Sequence, residues 1–232
     1  MTISSPLSRV ARAAFAALLA LAVAPAAQAQ ETVDVGVIKD SDKKVVQKIL
    51  YPRADRTELA ASLGWMPFDA LVTTPNLQLG ASLHRSEEFA LSAVVGGGYG
   101  LKNATYTRLE SPTYGVAVDA YRYLASALVG VEVSPVYGKS ALIGRGIVHY
   151  DGFGAARLGA TLEQSVIPRG GITVAPTLSL GIGARFWLKN GNALRLEIRD
   201  DFLIERRKLT ETTAFKQNAN LQIGYSLMGK KK

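Results

Sequence analysis

His149 and Asp151 are the residue types of a base and the acid that orients it, the pairing that lets a serine act as nucleophile in acyl transfer, as a lipid-modifying enzyme would need. Their spacing argues against that use. At a rise of about 3.3 Å per residue, i and i+2 on a strand share a face but stand about 7 Å apart, too far for direct contact. No GxSxG elbow occurs, and His84 has no partner legible in the sequence. Both histidines are therefore read as packing residues, and no catalytic residue is assigned. Metal chemistry fares no better with two histidines and no cysteine. Asp40 and Asp42 open a calcium-loop pattern, but Lys44, Val45 and Tyr51 stand where an oxygen ligand, a glycine and the closing glutamate are needed. The "RDD" at Arg199 to Asp201 lacks that spacing as well. The glycines from Gly96 to Gly100 precede no helical phosphate-binding pattern, and the Asn103 to Thr105 sequon has little meaning in a bacterial-type exported chain. No metal and no cofactor are expected.

The richest constellation is "ALRLEIRDDFLIE", in which Arg195, Glu197, Arg199, Asp201 and Glu205 fall on one face of a strand. Charges this dense survive burial only when paired, because an unpaired one costs several kcal/mol. The preceding strand, with Arg185 and Trp187, tests the pairing. For both apolar faces to stay aligned, opposed residue numbers must sum to an even value, which favours a three-residue loop Asn190-Gly191-Asn192. That register sets Arg185 against Glu197, Trp187 against Arg195, Gly183 against Arg199 and Gly181 against Asp201. Arg185, Trp187, Arg195, Glu197, Arg199 and Asp201 are thus the expected interior polar network. A filled plug is the first reading, with an ion or solute path as the alternative.

The elements that must carry these charges are strands. In "NLQLGASLH" Leu77, Leu79, Ala81 and Leu83 share one parity and Asn76, Gln78, Gly80, Ser82 and His84 the other. The same two-residue period recurs from Glu58, Phe89, Ala127, Val148, Leu178, Leu194 and Ala219, giving eight strands. Several exceed ten residues, longer than usual for a globular sheet and about what a tilted strand needs to cross a bilayer. Aromatic residues cluster at strand ends. Phe89, Tyr150, Phe186 and Tyr225 form an inner girdle, and Trp65, Tyr99 and Phe202 an outer one. Short links at Arg85 to Glu88 and Lys189 to Asn192 alternate with long ones at about Leu101 to Arg122, Glu163 to Gly171 and Arg206 to Thr213. The stretch from Pro135 to Gly146 breaks the rule, either as a long inner link or as a hidden extra strand.

The chain opens with Arg9 and Arg12, an apolar run from Ala13 to Val23 and Ala27-Gln28-Ala29, the form of a secretory signal peptide cleaved after Ala29. The run is too short to span a membrane as a helix. The absence of cysteine excludes a disulfide framework. The net charge of +8 falls to +6 when Arg9 and Arg12 leave with the signal peptide, and it is too dispersed for a nucleic-acid footprint.

"VVQKILYPRADRTEL" at Val45 to Leu59, "VEVSPVYGKSALIGRGIVHYD" at Val131 to Asp151, "GIGARFWLKNGNALRLEIRD" at Gly181 to Asp200 and the closing "NLQIGYSL" resemble the outer-membrane β-barrel proteins of gliding and predatory bacteria, among them barrels of the gliding-motility machinery. The resemblance covers nearly all of the exported chain. It implies an outer-membrane barrel in a Gram-negative envelope, with motility as one setting. Such barrels usually end on an aromatic assembly signal. Here Gly224 and Tyr225 fit, Leu227 takes the terminal apolar place, and "MGKKK" follows.

The expected fold is all-β, an eight-stranded antiparallel transmembrane β-barrel of outer-membrane type. Its expected division is a signal peptide over 1–29, a periplasmic extension over 30–56, the barrel over 57–228 and a basic tail over 229–232. The extension either docks a partner or is a solvated tail. Tyr106, Tyr114, Val116, Val118 and Tyr121 in the long loop either form a contact surface or fold over the mouth. The expected function is a non-enzymatic anchor or scaffold in an envelope complex, with a small channel and a lipid-modifying enzyme as rivals. Expected partners are outer-membrane lipid and lipopolysaccharide, the barrel-assembly machinery and other envelope or motility proteins, and not nucleic acid.

Overall fold

The computed structural model describes residues 49–116, 118–142, 146–166, 171–207 and 211–230. The expected signal peptide, Asp40 and Asp42, and most of the expected N-terminal extension lie outside the described residues. Among the described residues there are nine strands and one short helix: β1 (Thr57–Met66), β2 (Val72–His84), β3 (Phe89–Gly98), β4 (Leu101–Lys102), α1 (Ala104–Glu110), β5 (Tyr121–Leu142), β6 (Gly146–Ser165), β7 (Ile172–Trp187), β8 (Ala193–Arg206) and β9 (Thr213–Met228). All pairings are antiparallel, and β1 pairs with both β2 and β9, so the eight long strands close into a ring. The two-residue β4 only extends the start of β2.

Closure follows from the alternation. Each strand turns its aliphatic residues out and its polar residues in, and a closed ring leaves no edge unpaired. The result is inside-out relative to a soluble core. Leu63, Val129 and Leu158 are 65%, 65% and 63% exposed, whereas Arg157, Arg185 and Arg199 are 2%, 0% and 1% exposed. A wall of Leu, Val and Ile around buried guanidinium groups is stable only where apolar medium lies outside, which makes this a transmembrane-type barrel. Among the described residues no helix is long and apolar enough to cross a membrane.

The start of β1, the end of β9, the β2–β3 turn and the β7–β8 turn share one end, called the turn end. The other, the loop end, carries the longer links and α1. Phe89, Tyr150, Phe186 and Tyr225 lie at the turn end, where Tyr150 and Phe186 are 6.5 Å apart. Trp65, Tyr99 and Phe202 lie at the loop end, together with Phe215, which stacks on Phe202 at 5.9 Å and which the alternation from Ala219 alone does not reach.

Three expectations need correction. The stretch from Pro135 to Gly146 is neither an inner link nor an extra strand. β5 continues to Leu142 and pairs with the start of β6 beyond the point where it leaves β3 at Val133, so the two form a hairpin projecting from the turn end. Second, the loop from Leu101 contains α1, capped by Asn103, whose side chain accepts from Tyr106 N at 2.9 Å and donates to the Ala70 carbonyl at 2.8 Å. Lys102 ties this helix down by bonding Glu110 at 2.7 Å, and that bond raises the Lys102 pKa above the usual lysine value. Tyr106, Val118 and Tyr121 fold inward, the first two packing with Val72 and Ala120, while Tyr114 and Val116 stay exposed.

The third correction is the β7–β8 register. The loop has three residues, but they are Lys189-Asn190-Gly191. Leu188 N bonds the Asn192 carbonyl at 2.8 Å, and Gly191 takes the left-handed conformation, φ +81°, that such a turn requires. Moving the loop by one residue shifts the pairing by two. Arg185 faces Arg195, Gly183 faces Glu197, Gly181 faces Arg199 and Ser179 faces Asp201. Parity is kept, so inward residues stay inward, while the cross-strand partners change.

Candidate functional site: the charged interior

The interior is filled in three layers. The layer nearest the turn end holds four guanidinium groups, of Arg53, Arg157, Arg185 and Arg195, against four carboxylates, of Glu58, Glu132, Asp151 and Glu197. Arg195 bonds Glu132 at 2.6 Å, Glu197 at 2.9 Å and Glu58 at 3.2 Å. Arg185 bonds Asp151 at 2.7 Å, Glu58 at 3.2 Å and also Glu132. Arg157 completes the group with Glu197 at 2.7 Å and Ser92 Oγ at 3.1 Å. Equal numbers of opposite charges, each bonded more than once, are what allow so many ions to be desolvated together. Phe153 lies among them, its ring under the guanidinium groups of Arg185 at 4.7 Å and Arg195 at 4.0 Å.

Arg199 occupies the middle layer. It grips Asp201 through Nε at 2.9 Å and Nη2 at 3.0 Å, and its Nη1 bonds Gln78 at 2.7 Å. Asn76 and Asn220 bond each other close by. In the loop-end layer Lys216 sits among Asp69 at 3.1 Å, Glu163 at 3.1 Å and Glu205 at 3.2 Å. Above it a recess of about 260 Å³ opens outward, lined by Phe68, Asp69, Asp119 and Glu205 among others.

Between the first two layers the free space bounded by Ser62, Gln78, Ser82, Arg157, Arg195 and Glu197 is about 20 Å³. That holds about one water molecule. At this level the bore is a packed ionic core.

The interior residues and histidines singled out from the sequence all lie among the described residues. Arg185, Trp187, Arg195, Glu197, Arg199 and Asp201 are all buried inside the ring, though Arg185 and Glu197 do not bond each other. Their partners are Glu58, Glu132 and Asp151 for Arg185, and Arg157 and Arg195 for Glu197. Trp187 donates from Nε1 to Asp151 at 2.8 Å. His84 bonds Glu58 at 3.0 Å, and His149 bonds the Tyr137 hydroxyl at 3.1 Å, so His149 and Asp151 have separate partners. Gly224 turns inward near the end of β9, while Tyr225 and Leu227 face outward.

The residues that sequence reasoning missed fall in two groups. Glu58, Glu132 and Arg157 stand at inward parity between Thr57 and Leu59, Val131 and Val133, and Ala156 and Leu158, so the rule applied to β8 would have found them on β1, β5 and β6. Arg53 precedes the first strand, where no alternation marks it.

No protein-family model matches the chain, and no curated protein matches it. Solved structures with a similar fold include Neisserial surface protein A, at 8% identity and a TM-score of 0.47 over 74% of this chain and 95% of that one. Ail, the attachment invasion locus protein of Yersinia pestis, is 10% identical with a TM-score of 0.37 over 75% of this chain and 96% of its own. A major outer membrane protein from Thermus thermophilus is 11% identical with a TM-score of 0.37 over 74% of this chain and 98% of its own.

Proposed function

We propose that this chain resides in an outer membrane and acts there as a non-enzymatic anchor or scaffold for an envelope complex. Gliding motility is the setting that its sequence resemblance suggests. The observation that carries the reading is the balanced plug of four guanidinium groups and four carboxylates around a void of about 20 Å³. A channel needs a wet bore, and this interior spends its polar residues on one another. What remains for interaction is the two ends: the projecting β5–β6 hairpin and docked N-terminal segment at the turn end, and α1 with exposed Tyr114 and Val116 at the loop end. Those surfaces suit attachment to other envelope proteins.

The test is affinity purification of the tagged full chain from cross-linked membranes, followed by identification of what comes with it. Reproducible recovery of envelope proteins in fixed ratio supports the anchor. Recovery of the chain alone, with large steady currents in planar bilayers, would replace it with a channel.

A further inference from the structure

Residues 49–56 precede β1 and cross the turn-end mouth. Asp55 N bonds the His84 carbonyl at 3.1 Å and the Arg56 carbonyl accepts from His84 N at 2.9 Å, which fixes one end of the segment beside β2. The other end reaches the far side of the ring. Tyr51 stacks on Trp187 of β7, with ring centroids 5.4 Å apart and planes 7° off parallel, and meets His149 of β6 edge-on at 5.5 Å. Leu50 N bonds the Tyr137 hydroxyl of β5 at 3.3 Å. Between the two ends Arg53 points into the barrel and bonds Asp151 at 3.0 Å.

Two features make this crossing segment act as a unit. Glu87, in the β2–β3 turn, accepts from Arg53 N at 2.9 Å and from Ala54 N at 3.1 Å, while the Arg53 guanidinium bonds the Glu87 carbonyl. Backbone and side chain of one residue are thus held by one turn. The second feature is charge. Arg53 is the fourth guanidinium of the turn-end layer, and without it four buried carboxylates would face three cations, with Asp151 left to Arg185 and Trp187. Partial withdrawal gains nothing, because a buried carboxylate loses its partner before water can replace it.

We propose that residues Tyr51 to Arg56 form a latch that locks the chain ahead of β1 to the barrel interior and carries any pull on that chain into the ionic core. The latch deepens the anchor reading and rests on it for the source of the pull. It names Arg53 and Glu87 as the residues that bear load before β1 itself is strained, and Tyr51 as the cover over Trp187.

Single-molecule pulling on a tag ahead of Ile49, with the full chain folded in a lipid bilayer, tests this without any partner. The wild-type chain should give a first rupture that releases about eight residues, roughly 28 Å of chain, before β1 is extracted. Arg53→Gln and Glu87→Gln should each lose that rupture, and Glu88→Gln, at the exposed neighbour in the same turn, should keep it. In a Trp65→Phe background, iodide quenching of Trp187 should rise several-fold in Arg53→Gln. Both variants must still migrate as heat-modifiable barrels, and an Arg53→Lys barrel, which restores the charge, should regain part of the rupture. An unchanged first rupture in Arg53→Gln, or unchanged quenching, would overturn the latch. Co-purifying partners with no latch rupture would leave the anchor and remove the latch, and a clear rupture without partners would do the reverse.

Discussion

Arg157 and Glu197 offer the sharpest test of the interior as built. Their side chains are 2.7 Å apart and 1% and 5% exposed. Arg157→Gln leaves Glu197 with Arg195 at 2.9 Å, so its cost falls near the low end of the range of about 3 to 5 kcal/mol for breaking a buried pair. Glu197→Gln leaves Arg157 with the neutral Ser92 Oγ at 3.1 Å and the Glu132 carboxylate at 3.7 Å, which puts it nearer the upper end. Acting independently, the two would sum to about 7 to 8 kcal/mol. The double variant should recover about 1 to 3 kcal/mol of that, because neither charge is then stranded by the loss of the other. Urea unfolding in lipid vesicles, followed by tryptophan fluorescence, measures the cycle. The parallel cycle on Arg185 and Glu197 decides the register. Those two meet only through Glu58, Glu132 and Arg195, so their coupling should be weaker than that of Arg157 and Glu197. Additivity for Arg157 and Glu197, or stronger coupling for Arg185 and Glu197, would refute the assignment.

Four further outcomes are expected. Arg placed at Leu180 or Ile198, in the middle of the outward band, should cost about 2 to 4 kcal/mol in vesicle unfolding, against about 0 to 1 at Tyr225 in the inner girdle. Gly183→Ala should destabilise by about 1 to 3 kcal/mol, since an added Cβ would meet the Phe153 ring and the Leu196 carbonyl, and Phe153 is held by two guanidinium groups. The purified wild-type barrel should carry little current in planar bilayers, because the charged side chains of its turn-end layer are buried and paired with one another. Lys102 should titrate above an ordinary lysine and return toward the usual value in Glu110→Gln, as NMR of labelled lysines would read. Because its folded pKa is raised, the contribution to α1 docking is present at neutral pH and fades as pH rises through that folded value.

How far the sequence was legible depended on period. A two-residue alternation fixes which face a residue takes, so the inward set on β8 and the outward rows of Leu, Val and Ile could be read directly. It does not fix how far one strand slides along the next in steps of two. "LKNGN" allows Gly191 to serve either as the middle of one loop or as the left-handed end of another, and its φ of +81° selects the latter. Side-chain reach added a second limit. His149 and Asp151 do not bond, in keeping with their separation, yet Arg199 and Asp201, equally spaced, do, because a guanidinium stem spans what an imidazole cannot. Arg53 was beyond reach for a different reason: it belongs to no strand, and its role arises only when the ring closes and brings Asp151 beneath it.

The apolar wall of the barrel meets lipid, and the charged wall meets itself. Nitroxide labels placed one at a time at Leu178, Ser179, Leu180, Gly181 and Ile182 of β7, in the full chain folded into vesicles, test it most directly. Collision rates with oxygen, which concentrates in lipid, should be high at Leu178, Leu180 and Ile182 and low at Ser179 and Gly181, following the outward and inward parity of that strand. A water-soluble nickel relaxer should reach none of the three outward sites. Free access of the nickel reagent to Leu178, Leu180 and Ile182, or the absence of any two-residue alternation, would contradict a lipid-facing barrel.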